Sequence, residues 1–165
     1  MINYFRIKNN KGVSIVEILI VISIIIAIGA IVALNLSKFR DEQALKNTTV
    51  DIVTLLNKAR QNTLSSLNSN NYSVHFESDK AVLFSGTTYS SSSSDNDPII
   101  FSSAVTIPAT GGINISGGGS DINFKRLTGD VINGTISSTI IIELVSNPSR
   151  QKTITINKTG IISSN

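Results

Sequence analysis

The sequence predicts an α+β fold: a long N-terminal helix whose first half spans a membrane and whose second half packs on an antiparallel β-sheet domain. Three observations predict it. A dense apolar run occupies Val13 to Leu36. Helical periodicity then continues to about residue 68, with neither proline nor glycine between Ala30 and Asn71. Beyond that point short alternating apolar and polar segments recur between turn-forming residues, the pattern of half-buried strands.

The chain has 165 residues, enough for one domain after the apolar run is set aside. Hydrophobic residues make up 41%, concentrated near the N-terminus. The remainder is rich in Ser, Thr, Asn, Gly and Ile, as in a β-rich extracytoplasmic module with turns. Of the 14 basic residues, Arg6, Lys8 and Lys11 lie in a leader without acids, and the other 11 match the 11 acidic residues. The leader therefore accounts for the net charge of +3. It reads as a topology signal with a cytoplasmic N-terminus, and the basic balance is no argument for nucleic acid. The absence of cysteine excludes disulfides and thiol chemistry.

The first element is the apolar helix. Its 24 residues, Val13–Leu36, would measure about 36 Å against a hydrocarbon core of about 30 Å. In lipid the backbone must satisfy its own hydrogen bonds, so a helix is the single-segment solution even for β-branched Ile and Val. Three readings compete. A secretory signal peptide has an apolar region of about 7–15 residues before its cleavage site, shorter than Ile18–Leu34. A plain anchor explains length and topology, but neither Gly12 nor Glu17. The third reading is processing at Gly12. A carboxylate in mid-bilayer costs on the order of 2.5–3.5 kcal/mol. Cleavage after Gly12 would create an α-amino group on Val13, one helical turn from Glu17, able to neutralise the carboxylate of a neighbouring subunit.

Gly12 followed by Val13-Ser14-Ile15-Val16-Glu17 and a long apolar helix resembles the N-terminal signature of type IV pilins and type II secretion pseudopilins. The resemblance implies a prepilin leader at 1–12 and a transmembrane and assembly helix at 13–36. It further implies cleavage by a prepilin peptidase between Gly12 and Val13, N-methylation of Val13, and a role for Glu17 in assembly with other subunits. Val13 stands where the family usually has Phe.

The helix continues outside the membrane to about residue 68. Leu45, Ile52, Leu56, Ala59, Thr63 and Leu67 repeat at helical spacing and predict its buried face. Strands are expected at Tyr72–Glu77, Lys80–Phe84, Ile99–Phe101, Val105–Ile107, Ile113–Ser116, Asp121–Phe124, Val131–Ile132, Thr135–Val145, Lys152–Asn157 and Gly160–Ile162. Asn133-Gly134 and Asn147-Pro148-Ser149 read as turns. Residues 85–97, with five consecutive serines, bury too little apolar surface to offset their ordering entropy and read as a mobile loop.

The domain at 37–165 also resembles the GspH/FimT-type minor pseudopilins. That resemblance rests on Leu55-Leu56-Asn57-Lys58-Ala59-Arg60, Ile122-Asn123-Phe124 with Gly129, the long strand from Thr135, and the closing Ile154–Ile162 hairpin. It implies a minor subunit of a type II secretion pseudopilus or type IV pilus. The subunit would sit in the bacterial inner membrane with its domain outside before entering the fibre. The alternatives are a FimT-type DNA-uptake pilin and an anchored β-domain protein that never polymerises. For DNA, the candidate contacts are Lys125, Arg126, Arg150 and Lys152. The uncharged tail Ile161–Asn165 argues against nucleic acid.

Catalytic signals are weak. His75 is a single histidine in a strand, without cysteine or a second histidine for a metal site. The serines lack a Gly-x-Ser-x-Gly elbow. An enzyme is not expected, nor a cofactor. Asp95 and Asp97 offer oxygen ligands for Ca²⁺ but lack the glycine and glutamate of a calcium loop.

Overall fold

The computed structural model describes residues 12–132, 134 and 136–165, and over 31–35 the backbone alone. The expected leader thus lies outside the described residues except for Gly12, as do Asn133 of the Asn133-Gly134 turn and Thr135. The chain divides into two compact units, residues 1–39 and 40–165.

The first unit holds the beginning of helix α1 (Ile15–Leu64). Ser14 opens the helix. Its hydroxyl accepts a hydrogen bond from the Val16 N–H at 3.3 Å and its carbonyl accepts one from the Ile18 N–H at 3.2 Å, which satisfies donors that a helix start leaves free. Among the described residues no helix is long and apolar enough to cross a membrane. The fully described apolar stretch, residues 15–30, measures about 24 Å. A span of about 30 Å needs about 20 residues.

In the second unit α1 buries Leu45, Ile52, Leu55, Leu56, Ala59 and Thr63, the face that its periodicity predicts. Leu67 is the exception: it is 44% exposed. The helix stops at Leu64, earlier than expected: the Ser66 N–H folds back to the Thr63 carbonyl at 3.1 Å, and the Thr63 side chain ties this end to the first strand. The Thr63 hydroxyl accepts the Tyr72 N–H at 2.8 Å and donates to the Tyr72 carbonyl at 3.1 Å. Ser66 then takes a left-handed conformation, and a short 3₁₀ turn, Leu67–Ser69, leads into the sheets.

Among the described residues nine strands follow: β1 (Tyr72–Phe76), β2 (Lys80–Ser85), β3 (Asp97–Ile100), β4 (Val105–Thr106), β5 (Ile113–Asn114), β6 (Asp121–Asn123), β7 (Ser138–Leu144), β8 (Asn147–Ile156) and β9 (Ile162–Ser164). One antiparallel sheet has the order β3-β2-β1-β6, and the other the order β4-β7-β8-β9 with β5 also on β7. In β7 every second residue is buried, from Ser138 through Ile140 and Ile142 to Leu144. Ile154 and Ile156 of β8 join them, opposite Ile140 and Ser138. Each such fully buried aliphatic side chain contributes roughly 1.5–3 kcal/mol. Val74, Phe76, Ala81, Leu83, Ile122 and Phe124 complete the core from the first sheet.

Several strand bounds differ from expectation. Val131–Ile132 forms no strand. Val131 makes a single bridge to Phe124, and the Ile132 N–H reaches the Asn123 carbonyl. The last strand begins at Ile162, not Gly160, which is a turn residue at φ 73°. The expected turn at Asn147-Pro148-Ser149 belongs to β8, and the turn itself is Val145-Ser146. Leu144 pairs with Asn147 while Glu143 pairs with Gln151. Pro148, Ser149 and Arg150 therefore form a bulge without counterparts on β7. A bulge tolerates proline because it asks for no ladder N–H, so the same residue types that signal a turn serve here to break register.

Candidate functional site

Every described residue from Gly12 to Ala30 is exposed. Exposure reaches 78% at Ile15 and stays near half even at Ile18 and Ile22. A helix that is apolar on all sides is stable only when surrounded by lipid or by protein. Glu17 lies in the first turn of this helix. Among the described residues no hydrogen bond or ion pair engages its carboxylate. The helix dipole favours an acid there by about 0.3–1 kcal/mol, less than the cost of burying it unpaired. The surface thus calls for apolar surroundings along its length and a cation near its start.

The basic pairs proposed for DNA do not converge. Arg150 sits in the β8 bulge and binds Glu42 of α1 at 2.5 Å, and the neighbouring Ser146 hydroxyl donates to Asp41 at 3.0 Å. Lys152 follows on the same strand. Arg126 instead reaches the Ser66 hydroxyl at 3.3 Å, just past the C-terminal end of the helix, with Lys125 beside it. Glu42 and Leu64 are separated by about 33 Å of helix. The two pairs therefore do not meet at one point of the domain.

The Arg150 hydrogen bond, with its positive charge, holds the Glu42 carboxyl below its ordinary value and raises Arg150 in turn. A depressed carboxyl contributes stability above its unfolded value and loses it as pH falls through the folded one. Glu42→Gln is therefore expected to lower the urea midpoint slightly at neutral pH and not at all below the ordinary carboxylate range. Both partners are exposed, so added salt should shrink the difference.

Asp97 is bound by Lys58 at 2.7 Å. Among the described residues no group of three or more metal-ligating side chains occurs, around Asp95 or elsewhere. His75, read from sequence as isolated, has close partners. Its Nδ1 lies 2.5 Å from Asp121 on β6 and its Nε2 3.7 Å from Glu77. Glu77 also binds Lys80 at 3.2 Å and, through that hydrogen bond, raises the lysine above its ordinary value. The β1–β6 register sets His75 opposite Asp121, a proximity no local motif reveals.

A second convergence ties the helix to two corners of the β domain. Arg60 donates from Nε to the Gly129 carbonyl and from Nη2 to the Thr159 carbonyl, each at 3.3 Å. Gly129 (φ 69°) and Gly160 (φ 73°) are both left-handed. A Cβ on Gly160 would overlap the Gly129 carbonyl and stand 2.7 Å from Arg60 Nε. Arg60, Gly129 and Gly160 are widely spaced in sequence, yet they meet at one point.

A long N-terminal helix continuing into a domain of antiparallel sheets is a pilin-like fold. The chain is similar in structure to the type IV minor pilin FimU of Pseudomonas aeruginosa PAO1, with a TM-score of 0.57, 14% identity, and coverage of 77% of this chain and 92% of that one. At that identity the likeness is one of fold. No protein-family model and no curated protein matches the chain.

Proposed function

We propose that the chain is a minor pilin or pseudopilin, a non-enzymatic subunit that a prepilin peptidase cuts after Gly12 and that then joins other subunits in a fibre. The observation that carries the reading is the all-round apolar helix with Glu17 at its start, continuing into a domain of pilin-like fold. Before assembly Val13–Leu36 lies in the inner membrane, its leader charges cytoplasmic and its domain outside. On assembly it leaves lipid for a bundle of like helices. Apolar burial changes little in that transfer, so packing and the pairing of Glu17 with a neighbour's Val13 amine supply the specificity.

N-terminal sequencing of the mature protein tests this directly. The expected start is methylated Val13. A mature chain that begins at Met1, or beyond the apolar run, would sink the proposal in favour of an anchor or a secreted protein.

A further inference from the structure

The first sheet has a second face, away from the core, on which Val82 and Phe84 lie among polar side chains. The cross-strand pairs Ser73–Phe84, His75–Val82 and His75–Asp121 place these side chains on one side, because directly opposed residues share a face. Val82 and Phe84 are each only 2% exposed, yet neither belongs to the core cluster formed by their neighbours Ala81 and Leu83. The segment that leaves β2 at Ser85 and returns at Asp97 supplies an aromatic cover. Tyr89 stacks on His75 with ring centroids 3.9 Å apart and planes 9° from parallel, and meets Phe84 edge-on at 5.6 Å. Asp121 fixes the imidazole from the side at 2.5 Å. The rest of the segment is held by local polar contacts: Asn96 Nδ2 donates to the Ser90 carbonyl at 2.8 Å, and the Ser73 hydroxyl donates to the Gly86 carbonyl at 2.6 Å. Residues 90–95, Ser90 to Asp95, are all exposed.

We propose that residues 86–96 form a hinged flap over this outer face, latched by the insertion of Tyr89 between His75 and Phe84. Its polar, serine-rich body gains nothing from burial, so one aromatic side chain sets the closed population. Gly86, left-handed at φ 105° with open space where a Cβ would stand, is held by its N–H to the Asn71 carbonyl at 2.8 Å and by Ser73, and so marks the fixed end from which the flap swings. Asp97, fixed to Lys58 of α1, ends the moving part. Opening uncovers Val82 and Phe84 while the core on the opposite face stays packed. The flap is therefore a local conformational device, independent of global unfolding.

The test is hydrogen exchange on the full-length protein in detergent, with binding of an apolar dye as a second readout. Tyr89→Ala should speed exchange across residues 86–96 by roughly two- to tenfold, the worth of an aromatic pair. It should raise dye binding and leave exchange in β7 and β8 unchanged. Tyr89→Phe keeps the ring and should behave as the parent. Unchanged exchange in Tyr89→Ala would overturn the latch. Acceleration spread evenly over both sheets would overturn the independence of the flap.

Discussion

A chain carrying Glu17→Ala is expected to be inserted and cut after Gly12 at normal levels, yet to enter fibres on the order of 100- to 1000-fold less efficiently. The size follows from charge burial. Removing one partner of a buried ion pair costs about 3–5 kcal/mol, because the other charge stays behind unpaired, and about 1.4 kcal/mol is a tenfold change in equilibrium. In the variant the orphan would be the Val13 amine. Glu17 is already exposed in the free subunit and makes no contact among the described residues, so the substitution leaves the domain at 40–165 intact. The measurement compares membrane-bound and sheared-fibre pools by immunoblot. Equal partition of parent and variant would remove the assembly role from Glu17.

Gly160→Ala is expected to destabilise the domain by about 2–5 kcal/mol. A non-glycine residue in the left-handed region costs roughly 1–2 kcal/mol, and forcing a methyl against the Gly129 carbonyl and the Arg60 side chain adds overpacking strain of about 1–3 kcal/mol. Gly118→Ala is the control, since Gly118 shares the left-handed backbone (φ 81°) but has nothing near its added Cβ. Urea unfolding of the full-length protein, followed by near-ultraviolet circular dichroism, should place the Gly160 variant well below the Gly118 variant. Equal losses would show that the crowding at Arg60 contributes nothing.

Much of the fold was legible because burial follows simple periods. Ile52, Leu56 and Ala59 announce one helix face, and Ile154 and Ile156 announce one strand face. The illegible parts depend on long-range register. Nothing local says that His75 will meet Asp121, 46 residues away, or that Arg60 will span the carbonyls at Gly129 and Thr159. The Asn147-Pro148-Ser149 segment misleads for a different reason: turn residues and bulge residues share the same chemistry. The exposed helix that carries the candidate site was readable from hydropathy alone. The separation of the basic pairs was not, since it required knowing that Arg126 attaches just past the C-terminal end of α1 and Arg150 at Glu42 in its middle.

The helix-to-domain attachment has a mechanical meaning. In the proposed fibre, tension would reach each domain through α1. Apolar side chains such as Leu56 and Ile52 resist separation but yield readily to sliding, because dispersion contacts have no preferred direction. The Arg60 hydrogen bonds to two carbonyls and the paired Thr63–Tyr72 hydrogen bonds are directional. They lie within one turn of each other near the end of the helix, where they act as shear pins. A pull along the helix axis must break both sets before the helix can slip out of its sheets.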